Sequence, residues 1–291
     1  MPGRLYVVST PIGNLEDITL RALSTLKEVG LIAAEDTRRT GILLRHFGIT
    51  TPTTSLHEHN ERQKLPQLLD RLTQGTDLAL VSDAGTPLVA DPGQRLTAAA
   101  IERGFRVIPI PGASAVLAAL AASGFPGDQF VFAGFAPSRS NNRKKWLSAF
   151  LEESRVVIFY EAPHRISKTL ADITELLGDR PIIIGRELTK LHEEIFRTTA
   201  AEALTKTFVE RGEFTVVLGP YVAPSKEAMP PDEIQVEAYF YRMTKSGGLS
   251  RRQALSQTAD KFGLSTNDLY AMLERLKAFR HLDRGNADLL P

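Results

Sequence analysis

The chain has 291 residues, 43% hydrophobic and 24% charged, with a net charge of +1 and no cysteine. That balance belongs to a globular chain of two or three domains; it excludes disulfides, thiolate metal sites and a global field for nucleic acid, so such a partner must meet a local patch. The most apolar stretch, Ala113 to Gly124, is far short of the roughly 20 residues that cross a bilayer, and no charged-then-apolar leader precedes Leu5, so a cytoplasmic chain with neither membrane span nor signal peptide is expected.

Strand-like runs alternate with helical ones. Leu5 to Ser9 is an apolar run closed by Thr10-Pro11, and Asn14 is placed to cap a helix carrying Ile18, Leu20, Leu23 and Leu26. Leu31 to Ala34 reads as a strand ending in Glu35-Asp36-Thr37-Arg38, and Ile42, Leu43, Leu44 and Phe47 as a short helix stopped by Gly48. Leu65, Leu68, Leu69 and Leu72 mark the next helix, Leu78 to Val81 a buried strand, and Gly93 to Glu102 a helix. Val107 to Ile110 ends in Pro111-Gly112, and Ser114 caps the Ala-rich helix 115–122. Strand, helix, strand, helix predicts a doubly wound, largely parallel sheet over residues 1–124.

Gly124 to Asp128 is the expected first boundary. Beyond it Phe130 to Phe132, Val156 to Tyr160, Ile182 to Gly185, Ile195 to Thr199 and Val216 to Leu218 read as strands, with helices around Trp146, over Ile166 to Leu177 and over Ala201 to Arg211. The closeness of Gly185–Leu188 to Ile195–Thr199 suits an antiparallel hairpin, so residues 125–221 are expected to form a second α/β domain with a mixed sheet. Pro220 to Pro231 reads as a linker, and residues 232–291 as a helical domain with segments starting near Asp232, Ser250 and Ser265. The last two segments have helix-turn-helix spacing; a nucleic-acid reader and a small helical cap packing Tyr239, Leu255, Leu269 and Leu273 both fit it.

The most informative stretch is Ser82 to Gly93, a loop at the carboxyl end of a buried strand, where open α/β sheets bind ligands. It offers small residues for close approach, the carboxylate of Asp83 and the hydroxyl of Thr86. Neither G-x-G-x-x-G nor G-x-x-x-x-G-K-[ST] occurs in the chain, so the expected cofactor is not held by its phosphates.

Together with this loop, the segments Ser9 to Leu15, Ala34 to Arg38, Leu56 to Glu61, Pro111 to Ala115, Phe159 to Arg165 and Gly185 to Lys190 make the chain resemble the tetrapyrrole-methylase-like (class III) S-adenosylmethionine methyltransferases. Within them it looks like the branch that methylates the ribose 2′-hydroxyl of a cytidine in small-subunit ribosomal RNA. Ala162-Pro163 departs from a frequent Ser/Thr-rich pair, and the tail matches only loosely. The resemblance implies two α/β domains with the donor in the cleft between them, and a homodimer. It implies donor contacts from Pro11, Asp83, Ala84, Gly85, Leu88, Ser114 and Ala115, and from Tyr160, Leu188 and backbone near Val216 of the second domain.

Methyl transfer to a ribose oxygen needs oxygen, carbon and sulfur in line and a base for the hydroxyl proton. Ionisable candidates at strand ends are Glu35, Asp36, His57, Glu161, Glu187 and Lys190; Glu161 and Glu35 rank first, each ending an apolar strand, and Lys190 completes the catalytic set. Glu161–Arg165 and Glu187–Lys190 fit plain ion pairs equally well. His57 to Glu61 has the density of a zinc site but lacks a distant third ligand, so no metal is expected and a substrate-lining or helix-capping role is preferred. RNA contact is expected at Arg139, Arg143, Lys144 and Lys145, which have no acidic partner nearby in sequence, and at Arg38 with Arg39. Arg251 and Arg252 fit an RNA patch and a solvated face equally. Same-fold methylation of a small molecule and non-catalytic RNA binding are the rival readings; the basic patch opposes the first, the strand-end carboxylates and histidines the second.

Overall fold

A computed structural model describes residues 1–222, 233–245 and 249–286. The first five strands, β1 (Leu5–Val8), β2 (Leu31–Ala34), β3 (Thr53–Ser55), β4 (Leu78–Val81) and β5 (Val107–Ile110), form a wholly parallel sheet in the order β3-β2-β4-β1-β5. Its apolar runs are continuous because both faces are covered. Leu5, Val7, Leu78 and Leu80 pack on one side with Leu68, Leu69 and Leu72 of α3 (Glu61–Thr73) and Leu96 of α4 (Gln94–Glu102). Val8, Ile32, Ala79 and Val81 pack on the other with Ala22 and Leu26 of α1 (Leu20–Glu28) and Leu44 of α2 (Thr37–His46). The helices after β1 and β4 thus lie on opposite faces, and the crevice between the carboxyl ends of these two adjacent strands is a topological switch point.

The second sheet, β6 (Phe130–Phe135), β7 (Val156–Glu161), β8 (Pro181–Arg186), β9 (Glu194–Thr199) and β10 (Phe214–Leu218), has the order β6-β7-β10-β8-β9. Only the β6–β7 pair is parallel; β8 and β9 form the expected hairpin. One face is covered by α6 (Ser140–Ser148), α7 (Ile166–Leu177) and α8 (Ala200–Leu204). The other meets the Ala-rich α5 (Ala115–Ala121): Val116 and Ala119 bury with Ile12 against Val156, Ile158, Ile183 and Val217. A shared core therefore joins the two sheets, and Met1–Tyr221 is one compact unit.

Four expectations change in detail. Asn14 caps a 3₁₀ turn, Leu15–Asp17, while Thr19 caps α1. Helix α2 starts five residues before Ile42 because Asp36 caps it, its carboxylate accepting from the Arg38 N–H. Strand β3 was not expected, and the helix expected over 201–211 is the short α8.

Val222–Pro291 is a second unit. The described helices α9 (Glu233–Lys245), α10 (Arg251–Phe262) and α11 (Thr266–Asn286) bury Val236, Phe240, Ala254, Leu269 and Leu273. Ser250 forms a capping box with Gln253, and Gly263 (φ 65°) ends α10 in the left-handed region that glycine tolerates. Most of the expected linker 220–231, and Asp232, lie outside the described residues. Among the described residues no helix is long and apolar enough to cross a membrane.

Candidate active site

The loops after β1 and β4 are stitched together at the switch point. Thr10 N donates to Gly85 O at 2.8 Å and Gly85 N to Thr10 O at 3.0 Å, while the Ser9 and Thr86 hydroxyls meet at 2.9 Å. Gly85 (φ 79°) supplies a positive φ here, and a Cβ on Gly112 would meet the Cβ of Ser9 at 2.9 Å. The ends of β2 and β4 lock reciprocally: Asp36 N donates to Asp83 Oδ1 at 3.0 Å and Asp83 N to Glu35 Oε2 at 3.2 Å.

Above these strand ends lies a cavity of about 380 Å³ whose wall comes from both sheets. The first contributes Ile12, Glu35, Arg39, Asp83, Ala84, Gly85, Thr86, Val89, Ala90, Asp91, Ser114 and Ala115. The second contributes Phe135, Tyr160 to Pro163 and Gly212 to Thr215. The Tyr160 ring sits 5.2 Å from Phe135 and 5.1 Å from Phe132, an aromatic wall opposite the carboxylates. Burial, with the charges of Asp91 and Glu213, pushes the Tyr160 phenol up to about 12. Burial likewise holds the Glu35 carboxyl above its ordinary range, against the hydrogen bond from Asp83 N. Asp91 is pushed up to about 6 by burial, then by the charges of Glu35 and Asp83, with the Ser82 hydroxyl opposing.

Of the expected site residues, Glu35, Asp83, Ala84, Gly85, Ser114, Ala115, Tyr160 and Glu161 come together in this wall. Pro11 lines an adjoining cavity of about 140 Å³ that shares Arg39 and Asp83 with the larger one. Two of the expected donor residues lie off the wall: Leu188 is 7% exposed and packs in the core between the sheets, and Leu88 (φ 74°) sits outside the wall formed by its neighbours Thr86 and Val89 to Asp91. The Val216 side chain is fully buried on the helix-covered face of the second sheet, while Phe214 and Thr215 beside it line the wall. Lys190 lies behind the wall, paired with Glu187 at 2.8 Å and with the wall residue Glu213 at 3.1 Å.

Glu161, expected as the first-ranked base, is 2% exposed and already holds three donors. Its carboxylate accepts from its neighbour Ala162 N at 2.7 Å and from the Thr169 hydroxyl, and pairs with Arg165 at 2.7 Å. A carboxylate so held fixes the end of β7 and has little capacity for a further proton donor. The basic run is also altered. Arg143 is 3% exposed and bonded to Asp172 at 2.7 Å, and Lys144 pairs with Glu175 at 2.6 Å; only Arg139 and Lys145 of the four are exposed. Arg38 is exposed but doubly bonded to Asp36. Arg251 pairs with Glu274 at 2.9 Å.

The segment His57 to Glu61 serves as a brace. Asn60 Oδ1 accepts from His57 N at 2.9 Å, and Glu61 Oε1 accepts from Arg95 N at 2.9 Å and Leu96 N at 3.1 Å, capping α4 from a distance. Among the described residues no group of three His, Cys, Asp or Glu side chains is arranged to hold a metal ion. Asp91, Arg39, Phe135 and Gly212 to Thr215 are wall residues absent from the expected donor and catalytic sets; the position of Asp91 inside the Ser82–Gly93 loop was the available signal.

The cavity suits a compact cationic ligand of nucleoside size. Its volume falls in the range of small-molecule sites, and its walls combine apolar faces with a few polar groups. Five carboxylates, from Glu35, Asp83, Asp91, Glu161 and Glu213, set against the single guanidinium of Arg39, and an aromatic face favour a positive charge.

Residues 4–204 match the model of the family described as tetrapyrrole (corrin/porphyrin) methylases. The chain is 45% identical over 280 residues to the ribosomal RNA small subunit methyltransferase I of Synechocystis sp., covering 95% of this chain and 99% of that one. It is 48% identical over 218 residues to the protein of that name from Thermotoga maritima, covering 74% of this chain and 98% of that one. Among solved structures, uroporphyrin-III-C-methyltransferase from Thermus thermophilus superposes with a TM-score of 0.53 at 18% identity, over 75% of this chain and 94% of that one.

Proposed function

The chain belongs to the tetrapyrrole methylase family, and from that premise we propose that it transfers the methyl group of S-adenosylmethionine to the ribose 2′-hydroxyl of a cytidine in small-subunit ribosomal RNA. The observation that carries the RNA substrate is the 45% identity across 95% of the chain to a relative whose name specifies that RNA. The cavity supports the donor. When bound, S-adenosylmethionine supplies a methyl group activated on a sulfonium.

The chain's own residues would hold the donor between two walls. Ala84, Gly85, Ser114 and Ala115 offer close backbone approach on one side; Tyr160 and Phe135 offer a face on the other, beside the chain at Phe214–Thr215. Asp83, locked to β2, is placed to accept from hydroxyl or amino groups. Glu161 positions β7 rather than moving a proton, and Lys190 neutralises Glu187 and Glu213 behind the wall. Arg39, 64% exposed and 3.4 Å from Asp83, together with exposed Arg38, Arg139 and Lys145, would meet the RNA backbone. A cytidine in folded RNA must be splayed out to reach such a cavity. The homodimer and the assembled subunit as substrate belong to the same proposal.

The test is transfer from labelled S-adenosylmethionine to assembled small subunits, naked small-subunit RNA, tetrapyrroles and protein. Label at one ribose of the RNA, resistant to alkaline cleavage at that position, is the expected result. Label on a tetrapyrrole alone would transfer the reading to a small-molecule enzyme, and no label on any acceptor would leave a binding module.

A further inference from the structure

The carboxylates of the cavity differ in what already holds them. Glu161 has three donors, Asp83 takes the Asp36 N–H and the Arg39 guanidinium, Glu35 takes the Asp83 N–H, and Glu213 pairs with Lys190. Asp91 stands apart. It lies two residues before Gly93, the N-cap of α4, and does not cap that helix, because Glu61 takes the Arg95 and Leu96 N–H groups. Its neighbour Ala90 (φ 66°) holds a left-handed conformation that a non-glycine residue rarely adopts, which turns the chain so that Asp91 enters the cavity wall. There it faces Tyr160 across the cleft, with the second sheet's aromatic wall behind that ring.

We infer that Asp91 is the group that takes the proton from the acceptor hydroxyl during methyl transfer. The assignment rests on the methyl-transfer reading above and names its base. As the hydroxyl oxygen's lone pair forms the new bond to the methyl carbon, the carbon–sulfur bond breaks with its pair remaining on sulfur. The hydroxyl proton passes to Asp91, which returns it to water. The charged and titratable groups facing Asp91 are Glu35 from β2, Asp83 from β4 and Tyr160 from β7, with Arg39 of α2 on Asp83. The low dielectric and the two carboxylates raise its basicity to about 6, so it is ionised at neutral pH and still a better acceptor than an ordinary aspartate.

Two measurements test this. In the first, single-turnover transfer to small-subunit RNA by the wild type should rise with pH through about 6 and then level. Asp91→Asn, isosteric but unable to take the proton, should lose roughly 10²–10⁴-fold in rate at saturating donor, with that limb gone. In the second, carboxyl-carbon NMR of the donor-free protein should show a group titrating near 6 that vanishes in Asp91→Asn. A variant as fast as the wild type, or an Asp91 signal titrating in the ordinary aspartate range, would overturn the assignment. A wild type that methylates no RNA, with the Asp91 signal still near 6, would instead bring down the substrate reading and this role with it.

Discussion

Asp91 carries a second consequence in the folding equilibrium. A carboxyl held at about 6 in the fold, against 3.8 for its ordinary value, binds more protons in the native than in the unfolded chain between those two pH values. Its contribution to stability is therefore present at low pH and is lost as pH rises through about 6. Asp91→Asn should unfold at a higher temperature than the wild type at pH 8, and this advantage should disappear toward pH 4, as read by calorimetric scans across pH. A variant no more stable than the wild type at pH 8 would contradict this account of its surroundings. Stability is given up at a position that function uses, the pattern expected of an active site.

At the scale of elements, Arg143 ties α6 to α7 through Asp172, with side-chain exposures of 3% and 10%. Removing Arg143 leaves the buried Asp172 with only Lys144, 3.9 Å away, so Arg143→Ala should cost about 3 kcal/mol in urea unfolding. Arg139→Ala, on an exposed side chain, should leave stability unchanged while weakening RNA binding and flattening its salt dependence. Equal stability losses would refute the distinction. It was hidden in the sequence because Asp172 lies 29 residues from Arg143. Strand β3 escaped notice because its three residues, Thr53 to Ser55, are polar and form the edge of the sheet. The first turn of α2, Thr-Arg-Arg-Thr, carries no apolar period; only its Asp36 cap marked it. By contrast β4, buried on both faces, and α5, Ala-rich with a Ser114 cap, were legible to within a residue because their patterns are local. Asp91 gives no site signal of its own in the sequence because a residue before Pro-Gly reads as turn chemistry. Its role depends on Glu61, thirty residues earlier in the chain.

Over the whole of Met1–Tyr221, the two sheets are held in one arrangement by α5 and by the seat of the first loop on the segment between β8 and β9. Asn14 N donates to the Thr189 hydroxyl at 3.1 Å, and a Cβ on Gly13 would meet Lys190 Cγ at 2.3 Å. Glu187 (φ 51°) and Thr189 (φ 67°) both take left-handed conformations to form that seat. The resulting cavity is rich in carboxylates in a chain whose net charge is only +1, so the field that draws a cationic donor is local, while Arg39 at the wall and Arg38, Arg139 and Lys145 offer exposed cations for RNA. The central claim is that this cavity, at the β1–β4 switch point and roofed by β7 and β10, holds the methyl donor. A crystal structure with S-adenosylhomocysteine bound tests it most directly. The account predicts the ligand between Ala84–Gly85 and Ser114–Ala115 on one side and Tyr160 on the other, with its sulfur facing the space before Asp91. Density for it anywhere else on the protein would contradict the account.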